Sequence, residues 1–88
     1  MIARYAADAA GEVEGVAGLV GDRVRRHDGV RVAEEGAETH VEVHIRAVAG
    51  ASLPTVGRAV QEHVAAYLER MTGSAPDVVD VVIRRIEA

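Results

Sequence analysis

Between Thr39 and Val48 the chain alternates strictly, with Val41, Val43, Ile45 and Ala47 on one side and His40, Glu42, His44 and Arg46 on the other. Alternation of period two predicts a strand with one face buried and one facing water. Before it, Val30 and Val32 flank Arg31, and Glu34-Glu35-Gly36 follows as a turn signal, so the two segments form a hairpin. At the start of the chain the period changes. Ile2, Ala6, Ala9 and Val13 recur at spacings of three and four, while Arg4, Asp8 and Glu12 gather on another face, which predicts an amphipathic helix ending near Glu14. A second helix opens at Gly50-Ala-Ser-Leu-Pro54, where Pro54 suits a first helical turn and Ser52 or Leu53 is the cap. Its apolar stripe is Val56, Val60, Val64, Tyr67, Leu68 and Met71, and Gly73 stands where a left-handed terminating residue is expected. After Pro76, residues Val78 to Ile86 read as a last strand, with Val79, Val81 and Ile83 on one face and Val78, Asp80, Val82 and Arg84 on the other.

The expected order is therefore helix, strand, strand, helix, strand. This defines an α+β fold, a two-layer sandwich in which two helices cover one face of a three-stranded mixed sheet and the last strand returns parallel to the second. The glycine-rich stretch Gly11 to Gly21 reads as a connection, because glycine weakens a helix and permits tight turns. No linker or internal repeat divides residues 1–88, so one domain is expected throughout.

Composition narrows the function. Nearly half the residues are apolar, yet Tyr5 and Tyr67 are the only aromatics, so Val, Ala, Ile and Leu must build the core. The chain has no cysteine, which excludes disulfides and thiolate metal sites. Apolar runs fall far short of the roughly 20 residues of a membrane span, and Arg4 and Asp8 interrupt any export signal, so membrane association is expected to come through a partner. A net charge of −4 argues against duplex DNA.

Candidate chemistry is sparse. His40, Glu42 and His44 share a strand face and are metal-binding types, but the two histidines lie about 13 Å apart along an extended strand, too far to share one ion. His63 lacks the second histidine and carboxylate of an H-E-x-x-H helix and reads as a surface residue. Ser52 and Ser74 stand in no nucleophile elbow. Glu34 and Glu35 sit in a turn where water keeps both ionised. No catalytic residue, metal site or cofactor is expected. Gly15-Val-Ala-Gly18 and Gly18-Leu-Val-Gly21 match the G-x-x-G of KH modules, and Arg23, Arg25, Arg26 and His27 follow closely. An RNA-binding module using Gly15–Gly21 and the Arg23–His27 tract is thus the alternative reading, with Arg23, Arg25 and Arg26 as candidate anion or partner contacts. Acidic Glu12 and Glu14 beside that loop, and the missing aromatics, count against it.

Four phrases carry a family resemblance. Glu12-Val-Glu-Gly-Val-Ala-Gly-Leu19 follows an alanine-rich helix, and Leu53-Pro-Thr-Val56, Val60-Gln-Glu62 and Met71-Thr-Gly73 precede a valine-rich strand. In this order they resemble the alkaline-shock and general-stress proteins of Gram-positive bacteria, over nearly the whole chain. The resemblance implies a non-enzymatic cytoplasmic protein of the envelope stress response. It implies also that the protein self-associates and gathers beneath the membrane by binding a small membrane-anchored partner, with no catalytic residue to carry over.

The expected contact surface is the open sheet face, comprising Arg31, His40, Glu42, His44, Arg46, Val78, Asp80, Val82 and Arg84. Two valines among charges of both signs can form a self-complementary patch, and strand edges offer unpaired backbone groups, so a homo-oligomer through this face or an edge is expected.

Overall fold

A computed structural model describes residues 2–20 and 29–88. Within them the order is α1 (Ile2–Gly11), β1 (Val16–Leu19), β2 (Val30–Glu35), β3 (Glu38–Val48), α2 (Leu53–Thr72) and β4 (Val78–Glu87). The α+β class, the hairpin, both helices and the closing strand stand as the patterning predicts.

β3 is the central strand. It pairs parallel with β4 along one edge, from His40 opposite Val78 to Val48 opposite Glu87. Along its other edge it pairs antiparallel with β2 at its N-terminal half and with β1 at its C-terminal half. β1 corrects the expectation of a plain connection between helix and hairpin. It lies in line with β2, so the sheet remains three strands wide although four strands build it.

The gap between β1 and β2 closes on a single residue. The Val20 N–H donates to the His44 carbonyl at 3.0 Å, and the His44 N–H donates to the Gly29 carbonyl at 2.7 Å. Gly29 has φ of 86°, and a Cβ there would lie 2.8 Å from the Val20 carbonyl and 2.9 Å from that of His44. Only glycine meets both conditions. The chain leaves the ladder at Val20 and rejoins it at Gly29, and Arg23, Arg25, Arg26 and His27 lie outside the described residues.

Both helices pack on one sheet face. α1 ends at Gly11, short of the expected Glu14, because the chain must turn at Gly15 (φ of 96°) to enter β1. Its fully buried Ala6, Ala9 and Ala10 present almost no side chain, so α2 and the sheet approach closely. Val56, Val60, Val64 and Leu68 of α2 meet Val30, Val41, Val43 and Ile45 from the sheet to form the core. Tyr5 and Tyr67 pack across the helix pair with their rings tilted by 59° and their centroids 6.1 Å apart. Met71, expected on the buried stripe, is 45% exposed, since the stripe runs out in the last turn before Gly73 ends the helix with φ of 85°. Ser52 occupies the cap position of α2, but its hydroxyl donates to Thr55 Oγ1 and not to a backbone amide.

Candidate protein-interaction face

The face of the sheet opposite the helices is built from alternate residues. Because paired residues in a sheet share a side, the ladder sets them in rows across the strands. Arg31 of β2, Glu42 of β3 and Asp80 of β4 form one row, and Ala33, His40 and Val78 form its neighbour. Next come His44 with Val82, and then Gly18 with Arg46. The pairing slips between Ile45 and Arg46, so that Ile45 faces Ile83 whereas Arg46 faces Arg85 and Arg84 becomes the extra residue of a bulge. Every described residue of the predicted surface falls on this face, and Val79, Val81 and Ile83 pack against the core on the other side as the alternation predicts.

Side chains on the face are tied to one another. Glu42 Oε1 lies 2.6 Å from His44 Nε2, and His44 Nδ1 lies 3.2 Å from Arg84 Nη1. An arginine can only donate, so Nδ1 accepts from Arg84 and Nε2 carries the proton given to Glu42. Carboxylate, imidazole and guanidinium thus form a chain from β3 to β4. The bond from His44 holds the Glu42 carboxyl below its ordinary pKa, with Arg31 adding to the effect and partial burial opposing it. His40 bonds to Glu38 at 3.2 Å, and this bond raises the His40 pKa, helped by the charges of Glu35, Glu38 and Asp77 and opposed by burial.

Arg46 spans the sheet. Its Nη1 donates to Glu87 Oε1 at 2.7 Å, while the rest of its guanidinium lies over Gly18, where any Cβ would overlap it. Gly18 therefore serves a side chain, not a bend. Gly15 is closed as well, since a Cβ there would come 2.6 Å from Val56 Cγ2. The first G-x-x-G phrase thus runs into an edge strand, with one glycine packed against α2 and the other beneath an arginine. Gly18 lies within the β1 ladder and not in a free loop of the kind that clamps a phosphate backbone.

Elsewhere among the described residues, groups capable of chemistry do not converge. Among the described residues no three His, Asp or Glu side chains come together to hold a metal ion. A shallow hollow of about 60 Å³ between Ile2, Thr39, Leu68, Thr72 and Pro76 has no ionisable side chain in its lining. His63, read from sequence as a surface histidine, bonds Glu12 just past the end of α1 at 3.0 Å and so ties that turn to α2. Glu12 is 51 positions away, too distant for local spacing to reveal the pair. Arg70 stacks on the Tyr67 ring, 5.3 Å from its centroid.

Fold and face together define a two-layer α+β domain with a helix-covered side and a flat, polar, internally bonded side. Residues 1–88 match the model of the alkaline shock protein 23 family, which has a cell envelope-related function, and the chain belongs to that family. Among solved structures it is similar to the copper form of the MamM CTD, at 17% identity and a TM-score of 0.69, covering 96% of this chain and 81% of that one. A doubly substituted MamM CTD gives 15% identity and a TM-score of 0.68, covering 99% and 92%. At such identities the likeness concerns the fold. No curated protein matches the chain.

Proposed function

We propose that this protein is a non-enzymatic, self-associating scaffold that binds other proteins at the cytoplasmic side of the cell membrane, where a small membrane-anchored partner holds it. The observation that carries this reading is the open sheet face. Several of its charged groups are tied to one another through Glu42–His44–Arg84 and Arg46–Glu87, and Val78 and Val82 stand half-buried among them on the same face. A surface ordered in this way loses little side-chain freedom when covered, which favours contact with another protein. Enzymatic work would call for a cleft with ionisable groups aimed at one point.

The family's envelope-related function supports the location. No helix among the described residues is long and apolar enough to cross a membrane, and in this reading a partner supplies the anchor. The test is affinity capture from the native cell after brief crosslinking. Recovery of a small protein with a membrane-spanning helix, lost on Val82→Glu, supports the scaffold. Recovery of RNA that dissociates with salt and depends on Arg25 and Arg26 overturns it.

A further inference from the structure

Charge on the open face is not mixed at random but sorted along the strands. At one end Glu35 pairs with Glu38, and Asp77 sits beside them with its backbone N–H bonded to the Thr39 carbonyl. Two rows further on, Glu42 and Asp80 outnumber Arg31. Past the His44–Val82 row the sign reverses, since Arg46, Arg84 and Arg85 gather at the bulge. Among the described residues the face is thus acidic toward the start of β3 and basic toward its end, where the acid Glu87 is already held by Arg46.

Two copies can stack such faces with their central strands parallel or antiparallel. Parallel stacking sets acidic row on acidic row and arginines on arginines, and like charges brought together at an interface disfavour the contact strongly. Antiparallel stacking sets them opposite. We propose that the open face binds the same face of a second copy, central strands antiparallel, about a two-fold axis crossing β3 between Glu42 and His44. This rests on the self-association proposed above and specifies its geometry.

In that register Glu42 of each copy meets His44 of the other, and Asp80 meets Val82. The arginine row falls opposite the His40–Val78 row of the second copy, between its two acidic rows, so that Arg84 lies within reach of Asp77 and Asp80. Three strand widths by ten residues give about 450 Å² per copy, or about 900 Å² in all. That is small for a stable complex, and the dimer is accordingly weak and sensitive to salt.

The chain has no cysteine, so single thiols report the orientation cleanly. Glu38 and Val48 are exposed at opposite ends of β3, about 33 Å apart. Glu38→Cys and Val48→Cys proteins, one carrying a mass tag, are mixed and treated with a bis-maleimide matched to the roughly 10 Å between stacked sheets. The expected product is the mixed dimer, at least fivefold over either self-linked species. Self-linked dimers of each variant alone indicate parallel stacking and overturn the antiparallel geometry while leaving self-association through the face. Continued association by sedimentation with no cross-link excludes the face itself and points to strand edges, while a monomer at every concentration removes the self-association reading too. A second arm guards against thiol artefacts. Asp80→Arg weakens the dimer at least tenfold, and adding Arg84→Glu restores it, whereas failure to restore contradicts the charge pairing.

Discussion

Val20 and Gly29 meet across one residue, bonding to the carbonyl and the amide of His44 respectively. The edge strand is thus continuous in space although interrupted in sequence, and the interruption closes at a glycine that no other residue can replace without strain.

Gly29→Ala is therefore expected to cost about 2 kcal/mol or more, since a left-handed backbone and two carbonyl overlaps coincide there. Gly36→Ala is the control. It shares the positive φ, at 62°, but a Cβ there meets nothing within 4 Å, so its cost should stay near 1 kcal/mol. Urea unfolding of both variants checks the order, and equal losses would mean that the neck is not tight.

Arg46 couples three strands, and a double-mutant cycle reads that coupling. Gly18→Ala pushes the guanidinium aside, and Glu87→Gln removes its partner. Each end of the pair is about one-third exposed (34% and 35%), so each single change should cost under about 1 kcal/mol. The double variant should cost less than the sum. Strict additivity would show that Arg46 finds Glu87 regardless of Gly18.

Stability should depend on pH through two groups of opposite sign. His40 has a raised pKa, so its contribution is complete below the unfolded value near 6.5 and fades as pH rises through the folded one. Glu42 has a lowered pKa, so its contribution is complete above about 4.5 and fades as pH falls through the folded value. Both are in full force between those two limits. Unfolding curves across pH 3 to 8 should lose their alkaline slope in His40→Gln and part of their acid slope in Glu42→Gln.

Local pattern revealed β3 and both helices because their signals are local. Alternation from Thr39 to Val48 and the Pro54 and Gly73 punctuation of α2 need no knowledge of the rest of the chain. The open face was legible for the same reason, since Glu42 and His44 are two apart on one strand. β1 was not. Its glycines read as a connection because Gly18 answers to Arg46, a residue far off in sequence, and the strand exists only by pairing with β3. The bulge at Arg84 escaped notice too. An extra residue in β4 becomes visible only once β3 is laid beside it, and it is this slip that brings Arg84 and Arg85 to the level of Arg46.

Self-association through the open face is the claim on which the rest depends, and light scattering of the purified protein against concentration tests it most directly. The wild type should gain mass as concentration rises. Val82→Glu, which puts a carboxylate beside Glu42 and Asp80 at the centre of the face, should keep its circular dichroism spectrum and remain a monomer over at least a tenfold wider range. Equal association of the two proteins would contradict the account.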